Sequence, residues 1–154
     1  MTLNEIVQTE NIVPVLKATN RWEAIDELVD TLVANGAIVE SDRDAVIDVV
    51  RTRENSMSTG IGYGIGIPHA STDLIENVVG AFGRSKSGIN FEALDNQPVT
   101  LVVLFLVPQG QFQKHLHTLA NIARQLHNSE FRAALENAED ADSIFQILSQ
   151  PVKQ

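Results

Sequence analysis

The chain has 154 residues, of which 44% are hydrophobic and 20% are charged, a composition typical of a folded globular protein rather than a disordered one. Its 11 Lys and Arg against 20 Asp and Glu give a net charge of −9, which argues against nucleic acid and anionic membrane surfaces and favours a partner with a positive patch. Without cysteine, the chain can form no disulfide, thiolate metal site or cysteine nucleophile. The longest apolar run is too short to cross a bilayer and the N-terminus lacks a signal-peptide pattern, so we expect a cytoplasmic protein.

In chain order, the first third of the sequence predicts helices around one short strand. The first long helix can be capped by Thr19 or Asn20 and can end at Gly36. Pro14 has no N–H, which restricts the apolar segment around it to an edge strand at best. The predicted elements are a short helix that opens with a capping box at 2–5, the strand at 12–16 and helices at 22–33 and 41–53.

From residue 58 onward, glycine alternates with larger residues, which predicts an extended segment over 60–70. Its period of two places four side chains on one face: Ile61, Tyr63, Ile65 and Ile67. Strands at 78–83 and 99–107 follow. Three helices come next: one at 112–126, one that begins with a cap at Ser129 and one around 144–148. This order predicts an α/β fold, with residues 1–154 forming one three-layer domain in which helices flank a central mixed β-sheet.

The glycines at 60, 62, 64 and 66 do not match the common nucleotide-binding patterns. They miss the spacing of the dinucleotide fingerprint, and the chain contains no P-loop motif. Two interpretations stay open with equal weight. The bare backbone packs closely against a helix, or leaves room for another molecule beside His69, and both can hold together.

His69 is the strongest candidate for chemistry among the four histidines. It follows the extended segment, and Pro68 stiffens the backbone before it. A neutral imidazole can accept and release a phosphoryl group near neutral pH, because its ordinary pKa is about 6.5. The alternative is a structural histidine without chemistry, and the solvent exposure of the ring decides between the two.

The other histidines lie on or near the predicted helix 112–126. His115 and His117 are two residues apart and point about 200° from each other, so that His115 borders the core and His117 faces water. This divergence disfavours a zinc site, although a metal-dependent hydrolase stays as an alternative. His127 lies near the end of the helix, where a positive charge is favourable.

Arg53 is predicted at the end of a helix, directly before the glycine segment. Its planar guanidinium suits phosphate oxygens, although a cation at a helix C-terminus is at least as common. Nearby carboxylates give no fixed acid–base pair, and we interpret them as solvated surface groups. They are Glu54, Asp73, Glu76 and Glu92.

Several stretches together carry a family signature. They are Arg53-Glu54, Ser58-Thr59-Gly60-Ile61-Gly62, Gly64-Ile65-Gly66-Ile67-Pro68-His69, residues 91–99 and His115-Leu116-His117-Thr118-Leu119. The pattern resembles the fructose/mannitol-type (type 2) enzyme IIA of the bacterial phosphoenolpyruvate-dependent phosphotransferase system, and most of all its nitrogen-regulatory branch. The resemblance spans roughly residues 3–148. It departs at Gly66, where alanine is more usual, and at Met57, where glycine is common.

The resemblance implies a phosphoryl carrier that uses no metal or organic cofactor. His69 would be phosphorylated by the phosphocarrier protein HPr, and His115 and Arg53 would hold phosphate oxygens. The small residues of the phosphate-binding loop would be Ser58, Thr59 and Gly60.

The same resemblance implies partner proteins. The carrier would pass its phosphoryl group to a IIB component, or use phosphorylation to change its affinity for a regulated target protein and have no role in sugar transport. Because two folded proteins must bring their imidazoles together, we also expect an apolar docking rim, with Tyr63 and Phe112 as candidates.

Overall fold

The computed structural model describes residues 2–150. The helices are α1 (Leu3–Ile6), α2 (Arg21–Ala34), α3 (Arg43–Ser56), α4 (Leu116–Leu126), α5 (Ser129–Asn137) and α6 (Ala141–Leu148). The strands are β1 (Val7–Val13), β2 (Gly60–Gly62), β3 (Ile65–Gly66), β4 (His69–Thr72), β5 (Val79–Ile89) and β6 (Val99–Pro108). Single 3-10 turns at Glu40–Asp42 and Gln113–His115 lead into α3 and α4.

The six strands form one mixed sheet, in which five follow the order β1-β5-β6-β3-β2 and the sixth, β4, pairs with β6. β5 and β6 are antiparallel, whereas β1 pairs parallel with β5. β3 and β4 lie one after the other along the same side of β6, both parallel to it. The mixed sheet expected from the sequence is therefore confirmed.

Helices cover both faces of the sheet, as the apolar run of β6 predicts. On one face, Leu104 and Leu106 join the apolar cluster that packs under α2 and α3. On the other face, Val103 and Phe105 join the cluster under α1, α4, α5 and α6. Alternate residues of β6 thus enter two separate cores, which confirms the three-layer arrangement.

The glycine segment differs from the single extended stretch that its alternation predicts. It is divided into three short strands, and β2 turns back on β3 as a hairpin. The turn residues Tyr63 and Gly64 both have positive φ, of 58° and 81°, as a tight two-residue hairpin turn requires. Tyr63 is consequently 62% exposed, while Ile65 and Ile67 are buried, so the predicted common face was wrong for Tyr63.

Several predicted boundaries also shift. β1 occupies residues 7–13 rather than 12–16, and Pro14 follows this edge strand directly. The cap of α5 is Asn128, not Ser129, because the Asn128 side chain accepts the N–H of Phe131. α3 continues to Ser56, which places Arg53 within its last turn rather than at its end.

Candidate phosphoryl-transfer site

His69 is the first residue of β4, directly after the short segment that separates β3 from β4. Ile67 and Pro68 separate it from β3, and the carbonyl oxygen of Pro68 accepts the N–H of Phe105 at 3.0 Å. His69 itself pairs with Phe105 in the register of β4 and β6. Pairing with the central strand β6 therefore fixes the backbone of His69 and of the residue before it.

The hydrogen bonds of the His69 ring define its tautomer. Nδ1 lies 2.8 Å from the carbonyl oxygen of Ile67, and a carbonyl can only accept, so Nδ1 carries the hydrogen. Nε2 lies 3.4 Å from Nη2 of Arg53, a group that can only donate. In the neutral ring, Nε2 consequently carries a lone pair directed towards a guanidinium.

The surroundings of His69 favour the neutral form of its ring. The residue is 8% exposed, and its ring lies parallel to that of Phe112, with centroids 5.8 Å apart. Burial lowers the pKa of His69; the hydrogen bond to Ile67 opposes this effect, and the charge of Arg53 lowers the pKa further. A ring that stays neutral near neutral pH keeps its nucleophilic lone pair.

Arg53 is placed by the last turn of α3 and by the residue that follows the helix. Its Nη1 donates to the carbonyl oxygen of Met57 at 3.2 Å, and its Nη2 faces His69. The guanidinium is thus oriented before any ligand arrives, which is the property that electrostatic stabilisation of a transferred group needs.

The predicted loop residues lie beside this arginine, with their donors engaged inside the protein. Both the N–H and the hydroxyl of Thr59 donate to the carboxylate of Glu54. The hydroxyl of Ser58 donates to the carbonyl oxygen of Phe91 and accepts the N–H of Gly60. These bonds fix the loop against the end of α3 and against the segment before β6.

Glu54 lies beside the candidate site, and the sequence interpretation misplaced it. It is 1% exposed, so the prediction of a solvated carboxylate was wrong for this residue. Besides Thr59, it lies 3.5 Å from Nη1 of Arg21, whose guanidinium stacks over the ring of Trp22. Arg21 precedes Glu54 by 33 positions, and no local pattern in the sequence indicates this pairing.

His115 lies on the same side of the sheet, within the 3-10 turn before α4. It is 8% exposed and its ring meets the ring of Phe105 edge-on, with centroids 6.5 Å apart. Because Phe105 is also the register partner of His69, one residue of β6 connects the two histidines. Burial, together with the charge of Lys114, lowers the pKa of His115.

The remaining histidines are separate from this site. His117 is exposed, as its helical position predicts. His127 caps the C-terminal end of α4 and packs edge-on against Tyr63, over which Arg132 also lies. Of the two predicted rim residues, Phe112 therefore lies at His69, whereas Tyr63 packs elsewhere. Within residues 2–150, no group of three or more His, Asp and Glu side chains could hold a metal ion.

Gly60 and Gly66 serve close packing, but against a loop rather than the helix that one interpretation specified. A Cβ on Gly60 would lie 2.8 Å from the Cβ of Ala93, and one on Gly66 would lie 3.0 Å from the ring of Phe91. Both distances are shorter than ordinary contacts. Glycine at 66 thus lets the ring of Phe91 pack directly on β3.

None of the helices in residues 2–150 combines the length and the apolar character that a membrane span requires.

Comparison with known proteins matches this chain to one family. The family model described as phosphoenolpyruvate-dependent sugar phosphotransferase system, EIIA 2 matches residues 5–150. A nitrogen regulatory protein of Bradyrhizobium diazoefficiens is 35% identical over 98% of this chain and 97% of its own length. A fructose-specific EIIA component of Haloferax volcanii is 38% identical over 84% of this chain and 83% of its own length.

A solved structure supports the same assignment. The crystal structure of nitrogen regulatory protein IIA-Ntr from Neisseria meningitidis superposes with a TM-score of 0.85, covering 96% of this chain and 99% of that protein, at 28% identity. The family expected from the motif is confirmed, and both its sugar-transport and its nitrogen-regulatory members are similar to this chain. The chain belongs to the EIIA 2 family of the phosphoenolpyruvate-dependent sugar phosphotransferase system, a family of phosphoryl-carrier and regulatory proteins.

Proposed function

We propose that this protein is a phosphotransferase that accepts a phosphoryl group from HPr on Nε2 of His69 and passes it on or uses it as a switch. One observation carries the proposal. The carbonyl of Ile67 holds the hydrogen on Nδ1, so the lone pair of Nε2 faces the guanidinium of Arg53. A nucleophile and a cation for the incoming group are thus adjacent.

This geometry accounts for the transfer step. Nε2 of His69 forms a bond to phosphorus while the bond from phosphorus to the donor imidazole breaks in line with it, and that electron pair stays on the donor. The phosphorylated ring carries a positive charge. The hydrogen bond from its Nδ1–H to the Ile67 carbonyl stabilises that charge. Negative charge accumulates on the phosphoryl oxygens, where Arg53 and His115 act as donors.

The remaining site residues position the groups that react. Ser58, Thr59 and Gly60 form the loop beside the phosphoryl group, and their internal hydrogen bonds fix the end of α3 that carries Arg53. No metal or organic cofactor takes part in this scheme. We further propose that residues 1–154 form one enzyme IIA type-2 domain that acts in the cytoplasm, and the family match over 5–150 supports the domain assignment.

The partners are HPr as donor and a IIB component or a regulated protein as acceptor. Two exposed apolar side chains adjoin the site: Met57, whose carbonyl holds Arg53, and Leu116, which follows His115. They are 70% and 44% exposed, and together they supply the apolar rim that a transient protein complex needs.

The test is to incubate the protein with phosphoenolpyruvate, enzyme I and HPr. We expect an acid-labile, base-stable phosphoryl adduct on His69 that forms only when HPr is present. An equal yield without HPr would overturn the donor assignment, and the absence of any adduct would overturn the carrier function.

A second candidate function is a regulatory module whose affinity for a target protein depends on phosphorylation of His69. The relative named as a nitrogen regulatory protein matches almost end to end, which favours this alternative. The two functions share the phosphorylation step and differ in the fate of the phosphoryl group. Rapid transfer of that group to a sugar-specific IIB component would identify a transport carrier, whereas a phosphorylated protein inert towards every IIB tested would indicate a regulator.

A further inference from the structure

Phe112 contacts the candidate nucleophile in a way that phosphoryl transfer alone does not require. Its ring and that of His69 differ by 7° in orientation, with centroids 5.8 Å apart, which describes an offset parallel pair. The side chain also packs against the apolar core under α4, α5 and α6. Its carbonyl oxygen accepts the backbone N–H of His115 at 3.0 Å, so the residue is held at both ends.

We propose that the ring of Phe112 shields phosphorylated His69 from water and thereby sets the lifetime of the phosphohistidine. The inference rests on the proposed carrier function and adds a role that is separate from transfer. A carrier or a switch works only while its phosphoryl group survives until the partner arrives. Excluding water from a reactive intermediate is an established way to protect it.

The reaction that the shield slows is hydrolysis of the phosphohistidine. A water oxygen forms a bond to phosphorus while the bond from phosphorus to Nε2 breaks, and the electron pair of that bond stays on Nε2. The ring returns to its neutral form with hydrogen on Nδ1, and both hydrogens of the water leave with dihydrogen phosphate.

Protein groups already occupy three sides of the ring. The ring of Phe112 lies parallel to the imidazole with centroids 5.8 Å apart, the Ile67 carbonyl accepts from Nδ1, and Arg53 lies beyond Nε2; His69 is 8% exposed. Ile67 and Arg53 also fix the tautomer and the charge of the site. Phe112 forms no side-chain hydrogen bond, so its side chain can be shortened while both of those contacts stay in place.

The test measures the lifetime of the phosphorylated protein without any partner. Each variant is phosphorylated with phosphoramidate, the donor is removed, and the phosphohistidine signal is followed by phosphorus NMR. We expect Phe112→Leu to shorten the lifetime about threefold or more, because water then reaches the phosphoryl group. Phe112→Tyr keeps the aromatic wall and should restore the wild-type lifetime.

A matched control separates shielding from general loosening of the core. Phe131 packs on the same apolar core from α5, and Phe131→Leu removes the same atoms there. We expect this control to keep the wild-type lifetime; a loss as large as that of Phe112→Leu would overturn the shielding role.

A second readout does not depend on phosphorylation. Burial is the main cause that lowers the pKa of His69, so Phe112→Leu should raise the pKa of His69 in an NMR titration. Arg53 on α3, and Lys114 and His115 after β6, are the charged or titratable groups that stay in place. An unchanged lifetime in a labelled protein, or an unchanged pKa, overturns the shield alone, whereas a wild-type protein that takes up no phosphoryl group overturns the carrier function.

Discussion

The Nδ1–H of His69 donates to the carbonyl oxygen of Ile67 at 2.8 Å, so the backbone two residues upstream selects the tautomer of the ring. Pro68 lies between them and fixes its own φ, which restricts the geometry of this contact. A three-residue segment therefore sets both the position and the reactive nitrogen of the candidate nucleophile. The consequences can be tested residue by residue.

Arg53 should affect the phosphorylation rate through the orientation of its guanidinium as well as through its charge. We expect Arg53→Gln to slow phosphorylation by HPr about 10²-fold, the usual cost of losing one oriented donor in a transition state. Arg53→Lys should be intermediate, since it keeps the charge without the planar fork. Single-turnover phosphoryl uptake measures both.

Arg51 provides the control for this prediction. It lies on the same helix but pairs with Asp26 rather than with His69. Arg51→Gln should keep the wild-type rate, and equal losses at positions 51 and 53 would show that the rate responds to helix charge in general.

His115 and His117 form a matched pair on neighbouring turns. His115 is buried beside Phe105, whereas His117 is exposed. His115→Ala should reduce the transfer rate about 10²-fold because a donor to the phosphoryl oxygens is lost, while His117→Ala should leave it unchanged. The same single-turnover assay compares them, and the opposite ranking would remove His115 from the site.

Glu54 should stabilise the fold at the site. Its carboxylate accepts two hydrogen bonds from Thr59 and lies opposite Arg21, whose side chain is only 12% exposed. Glu54→Gln leaves that cation without its buried partner and turns an amide towards donors, which should lower the free energy of unfolding by about 1–3 kcal/mol. Urea denaturation measures the loss.

Glu92 contacts the same arginine from the surface and is the natural comparison. Its side chain is 70% exposed, so Glu92→Gln should change the free energy of unfolding by less than about 0.5 kcal/mol. Similar losses of unfolding free energy for the two variants would contradict a stabilising effect that is specific to the buried Glu54.

The pH dependence has a defined sign. The neutral ring is the reactive form, and burial lowers its pKa below the usual value of about 6.5, so the phosphorylation rate should begin to fall only below that pH. Since the unfolded chain binds this proton more readily, the stability from His69 is complete above about pH 6.5 and is lost as pH falls through the folded pKa. NMR titration and urea unfolding across this range test both, with His69→Gln as the reference that lacks this contribution.

The architecture was predictable because the spacing of apolar residues along the chain indicates which faces of each element are buried. The long apolar run of β6, interrupted by Thr100, indicated a central strand with two covered faces, and the structure places alternate residues of it in two cores. The hairpin at Tyr63 was missed because positive φ at a tyrosine is rare, and alternation alone does not distinguish one extended strand from two antiparallel ones.

The site was predictable only in part. Pro68 and His69 form a local motif, and family resemblance connected them with Arg53 and His115. Glu54 pairs with the distant Arg21, and the ring of His69 lies parallel to that of Phe112, 43 positions later in the chain. Contacts between distant residues leave no periodic signal, so they could be identified only from the folded chain.

The most direct test of the proposed phosphoryl transfer is to locate the phosphorus on the phosphorylated protein. After phosphorylation by HPr, NMR of the nitrogen-labelled imidazole rings should show phosphorus on Nε2 of His69, and His69→Ala should take up none. Phosphorus on Nδ1, or full labelling of His69→Ala, would contradict the proposed role of His69.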